Sequence, residues 1–194
     1  MAVSIRARRS LAAAVAAALV LLFPGAVRPE DAPPVPDAGR KVMATEIRVA
    51  SWINASAPFT LEKLRGHVVV LEFWATWCGP CLESIPHLNQ IHKDLAAKGV
   101  VVLGITDEKA DVVEPFVKQM EMAYAVGLDD EGKTNGAYGV NAIPHAVIVD
   151  PEGRVFWAGH PANGLDGAIE RVLKEVPPTK GLFLDAAGAK RRLA

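Results

Sequence analysis

The stretch Val68-Val69-Val70-Leu71-Glu72-Phe73-Trp74-Ala75-Thr76-Trp77-Cys78-Gly79-Pro80-Cys81-Leu82-Glu83-Ser84-Ile85 decides how the chain is read. Its first seven residues are β-branched, aliphatic or aromatic apart from Glu72, and Gly66 bounds them upstream, which predicts a buried central strand. After Cys81 the apolar residues Leu82, Ile85, Leu88, Ile91 and Leu95 recur at helical spacing until Gly99, where a left-handed helix exit favours glycine. Pro86 falls inside that helix, so a kink is expected there. The two cysteines therefore lie where a strand hands over to a helix N-terminus.

That position has chemical meaning. Unpaired amide donors and the positive end of the helix dipole stabilise a thiolate on Cys78 and lower its pKa. A thiolate attacks a partner disulfide, and a second thiol three residues on, Cys81, can resolve the mixed disulfide. Gly79 permits close approach of a partner backbone, and Pro80 fixes φ in the first helical turn, where its missing donor is not needed. A structural staple would close too short a loop to remove much unfolded-state entropy. A zinc site would need two further ligands, and the five histidines, at 67, 87, 92, 145 and 160, show no tight spacing on one helix face. No metal is expected.

Outward from the motif, apolar runs alternate with amphipathic stretches, the pattern of an α/β domain. Val100 to Ile105 reads as a second buried strand and Asp111 to Met122 as a second helix. A short strand follows around Ala123 to Gly127, then a polar turn and a brief helix ending near Tyr138-Gly139. Ala146 to Val149 and Val155 to Ala158 flank Asp150-Pro151-Glu152-Gly153-Arg154, a connection suited to an antiparallel hairpin. Ile169, Val172, Leu173 and Val176 mark a closing helix that Pro177-Pro178 ends. There is no internal repeat.

The 194 residues carry 21 Lys+Arg against 22 Asp+Glu, a formal net charge of −1, so nucleic acid is not expected as a partner. Arg6, Arg8 and Arg9 precede the apolar run Leu11 to Phe23, with Gly25 and Ala26 after it, the layout of a secretory signal cleaved near Ala26. The run is short for a membrane span, and its retention as an anchor is the alternative. The pair Arg8-Arg9 matches a twin-arginine signal only loosely. The organisation expected is a signal peptide at 1–26, a Pro-rich linker at 27–48, one domain at 49–176 and a tail at 177–194 in which Leu182-Phe183-Leu184 is able to dock.

Phe73-Trp74-Ala75-Thr76-Trp77-Cys78-Gly79-Pro80-Cys81 resembles the active-site segment of thioredoxin-fold proteins, and Tyr138-Gly139-Val140-Asn141-Ala142-Ile143-Pro144, followed by a strand and Asp150-Pro151-Glu152-Gly153, resembles that family's second half. The resemblance covers Val49 to Glu175. With the exported amino terminus and the insertion before Tyr138, it points to the TlpA/ResA-like branch of extracytoplasmic thiol-disulfide oxidoreductases. It implies a thioredoxin-like mixed β-sheet flanked by helices, with the CxxC at the start of a kinked helix, and it requires no cofactor.

Three further positions follow from the resemblance. Pro144 matches the family's cis-proline, which lets the preceding residue, Ile143, pair with an extended client segment. Glu72 matches the buried acid, usually aspartate, that exchanges a proton with the second cysteine; as a carboxyl in an apolar strand its pKa is expected to rise. Trp77 is expected to shape the docking surface. The chain departs from the branch in having Ser84 where many members place a glutamate, with Glu83 one position earlier and rotated by about 100° on a helix. His145 stands where threonine is frequent, and a solvated surface position is expected for it rather than a role in tuning the thiolate.

The reading is an exported enzyme exchanging its dithiol with protein disulfides, Cys78 attacking and Cys81 resolving. The Gly-Pro dipeptide favours a reductant, with cytochrome c maturation among the family's frequent tasks. An oxidising compartment would then require an upstream membrane thiol donor. The competing classes are a thiol peroxidase, which would want threonine at the position of Ala75, and a copper-binding module using the two cysteines.

Overall fold

The computed structural model describes residues 42–181. The expected signal peptide, residues 27–41 of the linker, and Leu182-Phe183-Leu184 lie outside the described residues.

The sheet has six strands in the order β1-β4-β3-β2-β5-β6. They are β1 (Ser51–Ile53), β2 (Val68–Phe73), β3 (Val100–Thr106), β4 (Ala125–Leu128), β5 (His145–Val149) and β6 (Val155–Gly159). Strands β2, β3 and β4 are parallel neighbours, joined through α1 (Gly79–Leu95) and α2 (Ala110–Gln119). The hairpin β5-β6 adds antiparallel to β2 on the other side, as the Asp150 to Arg154 turn predicts. Asp150 fastens that turn, its carboxylate accepting from the backbone N–H of Glu152 and Arg154 and from Arg154 Nε at 2.8 Å. A short α3 (Lys133–Ala137) and the closing α4 (Leu165–Glu175) complete the described fold.

Every residue of β2 and β3 is buried, because the sheet is covered on both faces. Alternation along β2 divides the core. Val69, Leu71 and Phe73 pack with Phe59, Leu61, Leu64 and Leu103 on one face. Val68, Val70 and Trp74 pack on the other under α1, α2 and α4, with Ile85, Leu88, Val117 and Val172.

Several boundaries differ from the sequence reading, and one strand is missing from it. Residues 42–48, assigned to the linker, join the domain. Met43 bridges to Arg154, Ile47 is buried, and Glu46 accepts from the backbone N–H of Leu61 at 2.6 Å. These contacts are to chain distant in sequence, so composition gives no sign of them. The tail likewise starts later than Pro177, since the N–H groups of Thr179 and Lys180 donate to the Gly66 carbonyl at 2.9 and 3.1 Å. Helix α2 stops at Gln119, before the expected Met122, and Glu121 takes a positive φ of 49°. Strand β1, a half-exposed edge of three residues, has too short a period-2 pattern to be read. Helix α1 runs through Pro86 as a single element and exits through a 3-10 turn at Gly99, whose φ is +80°.

Candidate active site

The end of β2 delivers the motif. The N–H of Trp74 donates to the Ile105 carbonyl, carrying the strand one residue further, and the chain then turns to place Cys78 as the N-cap of α1. Cys81 N–H, one of the amide donors of the first helical turn, donates to Cys78 Sγ at 3.3 Å. Cys78 and Cys81 are joined in a disulfide, with Cα atoms 5.2 Å apart. Their environments differ: Cys78 retains 5% exposure and Cys81 none.

The surroundings of Cys78 are open. Trp77 is 74% exposed, an unusual state for an indole, and Pro80 beside it is also exposed. A Cβ built on Gly79 meets nothing within 4 Å, so the chain's own packing does not demand glycine there; its absence of a side chain matters only to something approaching from outside. The Ile143–Pro144 bond is cis. Pro144 is buried and Ile143 half-buried, and they lie at the same end of the sheet as the motif because the next residue, His145, is the register partner of Phe73.

Beneath the motif lies Glu72, on the same face of the sheet as Val70 and Trp74. It is 1% exposed, and burial pushes its carboxyl up to about 8. Its register partners on the adjacent strands are Gly104 and Ala146, which supply almost no side chain over it. Glu72 thus lies next to the last residue of β2, and Cys78 and Cys81 open α1 five residues after that strand ends. His145 is half-buried beneath Phe73, 6.2 Å from its ring, which corrects the solvated position expected for it. Burial first, and His160 second, lower its pKa, so it brings no cationic charge to the thiols at neutral pH.

One positioning residue escaped the sequence reading. Glu108 accepts from Thr76 N–H at 2.6 Å and from the Thr76 hydroxyl at 2.7 Å, clamping the turn that carries the motif to the loop after β3. The only signal in the sequence is an acid just beyond a buried strand, which is common. Glu83 is exposed and lines a groove of about 340 Å³ with Pro80, Ser84, His87, His160 and Asp166, beside the motif. Among the described residues, no group of three or more His, Cys, Asp or Glu could hold a metal ion.

Against known proteins, the sequence profile described as the AhpC/TSA family matches residues 40–158. A thiol-disulfide oxidoreductase ResA of Bacillus thuringiensis strain Al Hakam is 34% identical over 96 residues, 49% of this chain and 56% of that protein. The chain thus spans little more than half the length of that relative. A ResA of Bacillus thuringiensis subsp. konkukian is 33% identical over 119 residues, 61% of this chain and 68% of that protein. Among solved structures, one assigned to the thiol:disulfide interchange protein DsbE of Chlorobium tepidum superposes with a TM-score of 0.62 at 29% identity, covering 69% of this chain and 96% of its own. An exposed lipoprotein thioredoxin of Streptococcus pneumoniae gives a TM-score of 0.54 at 29% identity, over 61% of this chain and 91% of its own.

Proposed function

The chain belongs to the AhpC/TSA family, and on that premise we propose that it is an exported thiol-disulfide oxidoreductase that acts on protein disulfides, in the reducing direction. The observation that carries the reading is the asymmetry of the pair: Cys78 as N-cap of α1, with 5% exposure beside the exposed Trp77 and Pro80, Cys81 fully buried, and a buried carboxyl on the strand that leads into the motif.

In this reading Cys78 is the thiolate that attacks a client disulfide, helped by the amide donors of the first turn of α1. The mixed disulfide is then resolved by Cys81, whose thiol gives its proton to Glu72. The Glu72 pKa of about 8 suits a group that must both take and return a proton near neutral pH. Trp77, Gly79 and Pro80 form the surface on which the client lies, and Ile143 and Pro144 its extended edge. Reduction in an oxidising compartment requires a membrane thiol donor upstream, and disulfides of cytochrome c maturation are the client class proposed. No helix among the described residues is long and apolar enough to cross a membrane.

The thiol peroxidase alternative lacks its hydroxyl. Ala75 occupies the position three residues before Cys78 and is buried, while the Thr76 hydroxyl is committed to Glu108. Copper binding would rest on the two cysteines without a third ligand of the His, Asp or Glu type among the described residues. Thiol trapping tests the reading. Cys81→Ser is expected to accumulate mixed disulfides with client proteins and Cys78→Ser to accumulate none; equal trapping by both, or by neither, overturns the assigned roles.

A further inference from the structure

Five buried side-chain polar atoms lack a hydrogen-bond partner among the described residues, and four of them belong to the face of the sheet beneath the cysteines: Glu72 Oε1, Trp74 Nε1, Tyr124 OH and His92 Nδ1. Buried polar atoms in native proteins are almost always hydrogen-bonded, to protein or to internal water. None of the four hydrogen-bonds another, so the partner each requires is internal water held among them.

Their grouping follows from the packing. Gly104 is the register partner of Glu72, and a Cβ on it would lie 2.9 Å from Trp74 Nε1 and 3.2 Å from Tyr124 Cε2. The glycine thus admits the indole N–H and the phenol ring over the strand position next to Glu72. The ring of Tyr124 is in turn 6.5 Å from that of His92, which retains 7% exposure. His92 sits eleven residues beyond Cys81 on α1, about 16 Å along the helix. The buried residues facing this core from α2 and α4, Val113, Val117, Leu165, Ala168, Ile169 and Val172, are all apolar. The polar or titratable residues on this side of the sheet near Glu72 are thus Trp74, Thr106 and Tyr124, with Cys81 and His92 on α1, among the described residues. The charge of Glu72 is also felt at Tyr124, where, after burial, it raises the phenol pKa further.

Resting on the exchange reading above, we propose that Tyr124 is a positioning residue for Glu72. Its hydroxyl donates, through buried water shared with Trp74 Nε1, to the Glu72 carboxylate, and the network reaches solvent at His92, away from the client. The proton balance is simple. Cys81 gives its proton to Glu72, the Cys81 thiolate bonds to Cys78 Sγ, and the client sulfur leaves with the electron pair and is protonated from solvent. Re-reduction of the enzyme returns the Glu72 proton to Cys81. While a client covers Trp77 and Cys78, equilibration of Glu72 with solvent runs through Tyr124 and His92. Trp74 Nε1 and Tyr124 OH are the donors that keep the ionised carboxylate accessible at all in so apolar a site.

The test is Tyr124→Phe, which keeps the ring and removes one hydroxyl. The midpoint of the Glu72 carboxyl titration, read by carbon NMR on the disulfide form, is expected to rise by about half to one pH unit. The resolving step at pH 7 is expected to slow by about three- to tenfold, what one ordinary hydrogen bond is worth. In a Glu72→Gln background the same substitution is expected to change nothing further in the resolving step. His92→Phe is expected to move the titration in the same direction and serves if Tyr124→Phe does not fold. An unchanged Glu72 titration in the folded variant, or a slowing that persists in Glu72→Gln, overturns the proposal. Failure of Cys81→Ser to form any mixed disulfide would instead overturn the oxidoreductase reading, and the carboxyl titration, which needs no client, still decides the coupling.

Discussion

The two faces of β2 are built from the same six residues and have opposite characters. On one, Val69, Leu71 and Phe73 enter a core of aliphatic and aromatic side chains. Tyr138 packs against it, and its hydroxyl donates to the Thr45 carbonyl at 2.5 Å. On the other, one step along the strand, Glu72 shares its core with Trp74, Tyr124 and His92, and four buried polar atoms have no protein partner among the described residues. The first face is optimised for stability. The second gives up stability at the level of the redox cysteines, and native proteins break packing rules mainly at functional sites. In the mechanism proposed above, a carboxyl carries this cost because Cys81, the resolving cysteine of that reading, is fully buried and cannot give its proton directly to water.

The comparison can be broken most sharply at Glu72. Its folded-state pKa of about 8 exceeds its ordinary 4.5, so the folded protein binds the extra proton and stability falls as pH rises between those values. Glu72→Gln is expected to match the parent near pH 4 and to exceed it by pH 8 by on the order of 5 kcal/mol, while slowing the resolving step; denaturant unfolding across pH checks it. A flat difference across that range would show that the two faces do not differ electrostatically.

On the opposite face, Leu71→Ala is expected to cost about 3 kcal/mol at every pH, from lost burial and a residual cavity. Its exchange kinetics should keep the parent's pH profile, and a displaced profile would mean that the faces are coupled. The smallest effect is expected at Gly104→Ala, where the new methyl must push against Trp74 and Tyr124. It should cost about 1–2 kcal/mol in unfolding experiments, and it should also move the pH profile, which Leu71→Ala should not.

Much of this site was legible before any coordinates. Cys78 and Cys81 were placed at a helix start by the switch from a β-branched run to 3.6-residue spacing, both local signals. The β5-β6 hairpin was legible because Asp150 and Gly153 carry turn chemistry in a short connection. What escaped has a common cause. Glu108 reaches Thr76 across 32 residues, and Glu46 caps the backbone of Leu61 from a segment whose composition reads as linker. Tyr124 carries no local signal beyond an aromatic side chain at the edge of a short strand. These roles depend on which segments the crossovers lay side by side, and periodicity carries no record of that.

The chain itself settled that a carboxyl would sit inside a central strand six residues before a redox pair, since apolar alternation and strand length are properties of consecutive residues. Only the folded sheet decided what surrounds that carboxyl: glycine on one flanking strand, alanine on the other, and a phenol from just before β4, an indole from just after β2 and an imidazole from α1. Burial of a face is encoded along the sequence, whereas the identity of the groups that share it is set by non-local register and helix packing.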